Sequence, residues 1–236
     1  MKTKIDKIYI IHRPDLVDRK AFLESEFSKL NFDPKNIEWM FNYYSDHIPP
    51  EVKVKYYNPN AIINESSMKH IEAYRISHRI LSDNYIVVML EHLFALQKAV
   101  LDNINVAMIV EDDVIFCDNF SDKIVSYMNQ LPDNWDVFYP GEACNQRLPQ
   151  TEENKNVYLH PQKSTRTSYF YIMKIETIKR ILSTIIPFTL AVDFELTYQY
   201  WNHNMNVYWG EPSLSKQGSE TGKYRSLFCK KDGSRI

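Results

Sequence analysis

The chain has 236 residues, 44% hydrophobic and 25% charged, the balance of one ordinary globular domain. Its 28 Lys and Arg against 30 Asp and Glu give a formal net charge of −2, so the broad basic face of a general nucleic-acid binder is not expected. All 5 Gly lie at or beyond Gly141. A GxGxxG dinucleotide loop or a GxxxxGK[ST] phosphate loop is thereby excluded from the first 140 residues, because both backbones need glycine.

Lys7 to His12 is a short Ile-rich run closed by Pro14, which predicts a buried strand and a turn. Asp15 to Leu30 carries Leu16, Phe22, Leu23, Phe27 and Leu30 at helical spacing, with Asp15 as the expected N-cap. Ile37 to Tyr44 reads as a second strand, so the opening is β-α-β and favours a parallel, helix-covered sheet. A helix is predicted over Glu65 to Leu81 and a mostly buried one over Tyr85 to Leu101. Strands are then expected at Val106–Val110, Val114–Phe116 and Trp135–Tyr139, with a helix from Ser121 to Leu131 between the last two. Asn145 to Asn156 reads as a loop, Val157–Leu159 and Ser168–Met173 as strands, and Glu176 to Ile186 as a helix stopped by Pro187. Asp193 to Asn202 reads as a further helix and Val207–Trp209 as a strand, and the polar tail from Gly210 as loop. No internal repeat and no linker marks a second domain.

The 3 Cys (Cys117, Cys144, Cys229) are odd in number and widely spaced, so neither a disulfide framework nor a zinc site is expected. Reduced thiols, and with them a cytoplasmic setting (host cytoplasm for a viral source), are the expectation. The apolar run Ile8 to Ile11 is too short for a signal sequence. The stretch Ile181 to Val192 is interrupted by Pro187 and too short to span a bilayer, so no transmembrane segment is expected.

The strongest chemical signal is Ile109-Val110-Glu111-Asp112-Asp113-Val114, an apolar strand that delivers three consecutive carboxylates to its carboxyl end. Ligands of open α/β sheets sit beyond such ends. Adjacent carboxylates repel one another, and a divalent cation relieves the repulsion. In extended backbone residues 111 and 113 point the same way, so Glu111 and Asp113 are the candidate ligands of one hard cation, Mn²⁺ or Mg²⁺. The competing reading is a solvated acidic turn between two strands.

These residues, with others in order along the chain, resemble glycosyltransferase family 25, the group of bacterial lipooligosaccharide galactosyltransferases and collagen galactosyltransferases. Lys7 to Ile11 with Asp18-Arg19 resembles the family's opening strand and Asp-Arg pair. His92 to Leu96 resembles its Ser-His helix, and Glu111-Asp112-Asp113 its Glu-Asp-Asp motif. Trp135 to Tyr139 and Thr165 to Met173 resemble its later strands, and Val192-Asp193-Phe194-Glu195 its Val-Asp segment. The chain departs from the family where Val87-Val88 stand in place of Gly-Cys and Glu91 in place of the Ser before His92.

The resemblance implies a single α/β domain of GT-A type: a Rossmann-like, mostly parallel sheet flanked by helices. Residues 1–140 would bind a nucleotide-sugar, and 141–236 would form the acceptor side and tail. It implies a metal-dependent, inverting transfer of a hexose (glucose or galactose) from a UDP-sugar to a hydroxyl of a glycan or protein. Asp193 is the first candidate base and Glu195 the second. Ile11, Arg19, Asp112, Lys223 and Arg225 are the candidate nucleotide-sugar contacts, with the cations placed to balance the leaving diphosphate. Each has a structural rival: Asp193 as an N-cap, Glu195 as a dipole partner on a solvated first turn, Arg19 as a surface arginine and His92 as a core histidine. Tyr139 and Trp209 are candidates to stack on uracil or sugar. The alternatives in function are a catalytically inactive GT-A-like binding module and a metal-dependent phosphoryl-transfer enzyme.

Overall fold

A computed structural model describes residues 4–30, 32–71, 80–148 and 152–225. Its centre is a 7-stranded sheet in the order β2-β1-β3-β7-β5-β8-β6. Strand β1 is Lys7–Ile11, β2 Ile37–Met40, β3 Val106–Glu111, β5 Val137–Tyr139, β6 Val157–Leu159, β7 Phe170–Lys174 and β8 Val207–Gly210. Strand β4 (Val114–Phe116) pairs with β9 (Ser215–Gln217) in a separate antiparallel ribbon.

Period-2 alternation divides the core between the two faces. Ile8 and Ile10 of β1 and Met108 and Val110 of β3 meet Leu23 and Phe27 of helix α1, Val17–Lys29, together with Phe120 and Ile124 of α5, Phe120–Met128. Tyr9 and Ile109 face the other way, onto Leu90, Leu93 and Leu96 of α4, Asp83–Leu101. Helices α6, Ile175–Leu182, and α7, Val192–Asn202, close the same face through Ile178, Ile181 and Leu196. Among the described residues α4 is the one helix long and apolar enough to cross a membrane, and it packs within this core.

The opening β-α-β unit is as read, with β1 parallel to both β2 and β3. The expectation of a mostly parallel sheet needs correction, because the sheet is mixed. Strand β7 runs against both its neighbours, β3 and β5, and β6 runs against β8. Among the described residues no helix lies between β5 and β7, so the chain returns beside β5 in the opposite direction, whereas α6 and α7 precede β8, which pairs with β5 in parallel.

Other differences are local. Asp15 does not cap α1, since its carboxylate is held by Arg13 Nε and Nη2 at 3.1 and 2.7 Å. Strand β2 stops at Met40, and residues 41–44 are loop. Of the helix predicted over 65–81, α3 covers Glu65–Met68, while 72–79 lie outside the described residues. Helix α2, Pro50–Tyr56, was not expected; Pro50 sits in its first turn, where its missing N–H costs nothing.

Candidate functional site

Strands β1 and β3 lie side by side with Ile11 opposite Glu111, so both deliver their carboxyl ends to one point. There the chain turns: Glu111 N–H donates to the Tyr169 carbonyl at 2.7 Å and Asp112 N–H to the Ile11 carbonyl at 3.0 Å. The turn breaks the extended alternation and separates Asp112, held by Arg19 and His12, from Glu111 and Asp113.

Asp112 folds back under the turn. Its Oδ1 accepts from Arg19 Nη1 at 2.6 Å and its Oδ2 from His12 Nδ1 at 2.9 Å. Arg19 also donates through Nη2 to the Arg225 carbonyl at 2.7 Å and lies 5.0 Å over the Tyr224 ring. Arg19 is only 7% exposed, so this helix arginine is not on the surface but is the buried counter-charge of the acidic turn. Arg225 meets it through its backbone carbonyl.

Glu111, Asp113 and Asp193 form the other half of the cluster. Burial pushes the Glu111 carboxyl up to about 7, with the Asp112 charge adding to it. Burial and then the Glu111 charge push Asp113 and Asp193 each up to about 6. The Ser168 hydroxyl is a hydrogen-bond partner of both Glu111 and Asp193 and opposes part of this rise. Asp113 Oδ2 accepts from Ser219 N–H at 3.2 Å. Its Oδ1, and Oδ1 of Asp193, are buried with no hydrogen-bond partner. Asp193 lies in the first turn of α7, whose N-cap is Ala191, so it is not the cap of that helix.

His92 of α4 lies beneath Glu111. Its Nε2 is 3.4 Å from Glu111 Oε1 and its Nδ1 is 2.9 Å from the Tyr171 hydroxyl. Burial lowers its pKa to about 4, so the ring is neutral: Tyr171 O–H donates to Nδ1, and Nε2–H faces the carboxylate. It is both the core histidine of the rival reading and a support of the site.

Four predicted residues are not brought into the cluster. Glu195 is two residues beyond Asp193, about 200° round the helix, and its oxygens accept from Thr189 N–H, Leu190 N–H and Gln199 Nε2 at 3.1, 3.2 and 3.0 Å. Lys223 lays its ammonium 3.1 Å over the Phe22 ring. Tyr139 is buried, with its hydroxyl 2.6 Å from that of Tyr200, so it presents no face for stacking. Trp209 is already stacked on His160 at 3.9 Å.

A cavity opens over the acidic turn, lined at one end by Glu111 and Asp113 and at the other by Met40, Phe41 and Val88. Glu91, at the family's Ser position, fixes its wall: it accepts from Asn42 N–H, Asn42 Nδ2 and Tyr43 N–H at 2.8, 2.8 and 3.0 Å, clamping the loop after β2. Gly218 closes the other side. Its N–H donates to the Asp113 carbonyl at 2.7 Å, and a Cβ there would lie 2.8 Å from that oxygen. Sequence reasoning missed His12, Ser219 and Gln217 of this lining; the one available signal was the glycines of the polar tail, Gly218 among them.

Among the described residues no three His, Cys, Asp or Glu side chains are grouped as ligands for a metal ion. The donors at Glu111 and Asp113 are carboxylate oxygens, of which Asp113 Oδ1 is buried and unpartnered, a set that fits a hard divalent cation whose remaining positions are filled by a substrate.

The family model described as glycosyltransferase family 25 (LPS biosynthesis protein) matches residues 5–195. No curated protein matches the chain. Two of the solved structures similar to it follow. One, described as A197 from STIV, is 12% identical with a TM-score of 0.43, over 90% of this chain and 83% of that one. The other, described as a glycosyltransferase involved in the glycosylation of the major capsid of PBCV-1, is 12% identical with a TM-score of 0.45, over 91% of this chain and 92% of that one.

Proposed function

The chain belongs to glycosyltransferase family 25, and from that premise we propose that it moves a hexose from a UDP-sugar to an acceptor hydroxyl, with inversion, in a metal-dependent reaction on a GT-A-type scaffold. Residues 1–140 bind the donor, and 141–236 with their loops meet the acceptor. The observation that carries the reading is the raised carboxyls of Glu111, Asp113 and Asp193 where β1 and β3 end, with Oδ1 of Asp113 and of Asp193 left without a partner. Buried carboxylates kept short of partners are costly in a fold and are retained where a ligand will meet them.

Glu111 and Asp113 would hold the cation, Mn²⁺ or Mg²⁺. When bound, the cation supplies Lewis-acid stabilisation of the leaving diphosphate. Arg19 adds a fixed positive charge behind the turn; its field already opposes the rise of the Glu111 and Asp113 pKa values. Asp112, occupied by Arg19 and His12, sets the shape of the turn rather than meeting a ligand directly. Asp193 is the base. Its unpartnered Oδ1 takes the acceptor hydroxyl's proton as that oxygen bonds to the anomeric carbon and the C–O bond to UDP breaks, UDP leaving with the electron pair. A carboxyl raised to about 6 is ionised at neutral pH yet more basic than an ordinary aspartate. Ser168 and His92 orient the two sides of this pair.

The test is incubation of the purified protein with a panel of nucleotide-sugars and Mn²⁺, with and without chelator. Slow UDP release that stops on chelation is expected. No release from any donor, together with no UDP binding by calorimetry, overturns the reading. Metal-dependent phosphate release without sugar transfer replaces it with phosphoryl transfer.

A further inference from the structure

His12 is unused by that chemistry, yet it lines the cavity. Its side chain is 4% exposed, its Nδ1 is held at 2.9 Å by Asp112 Oδ2, and its Nε2 is buried with no hydrogen-bond partner. The ring is fixed from the other side by an edge contact with Trp39, 5.1 Å between centroids. A carboxylate only accepts, so the Asp112 hydrogen bond selects the Nδ1–H tautomer, whose Nε2 is an acceptor. A buried acceptor left without a donor costs free energy, so a rigidly held one in a cavity wall marks where a ligand's donor belongs.

We propose that His12 Nε2 accepts a hydrogen bond from a ribose hydroxyl of the bound nucleotide and so selects ribonucleotides over deoxyribonucleotides. The inference rests on the nucleotide-sugar reading above. His12 follows Ile11 at the end of β1 and lines the cavity between the acidic end, Glu111 and Asp113, and the apolar wall, Met40, Phe41 and Val88. In a nucleoside diphosphate the unit between the phosphates and the base is the ribose. Phosphate oxygens are acceptors and leave Nε2 unsatisfied, whereas the 2′- and 3′-hydroxyls donate. Arg19 satisfies the other oxygen of Asp112, so the dyad keeps its orientation without help from the ligand.

Calorimetry of the full chain with Mn²⁺ and UDP, 2′-deoxy-UDP or 3′-deoxy-UDP tests this. The parent protein is expected to bind one of the two deoxy analogues roughly tenfold or more weakly than UDP, the loss that follows from leaving one buried acceptor unpaired. His12→Phe keeps an aromatic ring against Trp39 but has no acceptor; it is expected to bind UDP about tenfold more weakly and to lose the discrimination. In parallel, the ¹⁵N resonance of His12 Nε2 in the parent protein is expected to move with UDP and not with the discriminated analogue, a readout that does not depend on the variant folding. Equal binding of all three nucleotides by the parent, or discrimination retained by His12→Phe, overturns the inference and leaves the glycosyltransferase reading intact. No binding of UDP at all overturns both.

Discussion

On the β8 side of the sheet, the Glu211 carboxylate lies against Arg166, a guanidinium with 0% exposure that also donates to the Gln146 and Gly210 carbonyls at 2.8 and 2.6 Å. At the end of β3, Asp113 is buried and Glu111 and Asp193 are half-buried, and among the described residues no Lys or Arg forms an ion pair with them. The same chain therefore buries acids with a cation in one place and without one in another. The first arrangement satisfies its own charge and holds two loops to a strand. The second leaves acids without a cation of their own among the described residues, the arrangement expected where a ligand supplies the charge.

The sharpest way to break this contrast is to remove a proton acceptor without removing volume. Asp193→Asn is expected to lower sugar transfer roughly 10²- to 10⁴-fold, the range for a lost general base, with UDP affinity kept within about threefold. Transfer rates and calorimetry on the same preparation separate these. Unchanged transfer assigns the base elsewhere. Next in size, Arg166→Met is expected to destabilise the fold by about 3 kcal/mol, because Glu211 is left buried without its main counter-charge. That corresponds to a melting temperature lower by roughly 10 °C, and Mn²⁺ would not restore it.

Removing charge from the other cluster is expected to act in the opposite direction. The Asp113 carboxyl is raised from 3.8 to about 6 in the folded protein. Between those values the folded chain keeps a proton that the unfolded chain has released, so this group's contribution falls as pH rises from about 4 to about 6 and stays lost above. Asp113→Asn is therefore expected to be more stable than the metal-free parent by on the order of 2 kcal/mol near pH 8, with the two converging near pH 4. Mn²⁺ is expected to raise the melting temperature of the parent near pH 8 and to leave Asp113→Asn unmoved. A variant less stable than the parent at every pH would make Asp113 a structural acid like Glu211.

Local pattern was enough for much of this. Strand β3 and the acids at its end are contiguous in sequence, and so are the apolar run of β1 and the start of α7 that carries Asp193. What sequence could not show depends on distant partners. Arg19 reads as a surface residue until Asp112, 93 positions away, is seen to bond it. Ser215–Gln217 has no strand-like alternation and becomes β9 only because β4 offers an edge, which in turn brings Gly218 and Ser219 to Asp113. The direction of β7 was hidden for the same reason: a strand's own residues do not record which neighbours it will lie between.

Glu195 refines the comparison within a single helix, and its expected effect is the smallest. It is as buried as any acid in the binding cluster, and burial raises its pKa too, yet both its oxygens are engaged: Oε2 by two backbone N–H groups and Oε1 by Gln199. In Glu195→Gln the new amide N–H₂ must face either those backbone donors or the Gln199 amide. Gln199 cannot turn over freely, because its Oε1 accepts from Thr184 Oγ1 at 2.6 Å. One mismatched hydrogen bond is expected, worth about 1 kcal/mol, read as a small drop in denaturation midpoint. Sugar transfer is expected to stay within about threefold of the parent, because the lost oxygen turns away from the site. A loss approaching that of Asp193→Asn would instead make Glu195 the base and Asp193 its support, since two residues apart on one helix only one of them can face the acceptor.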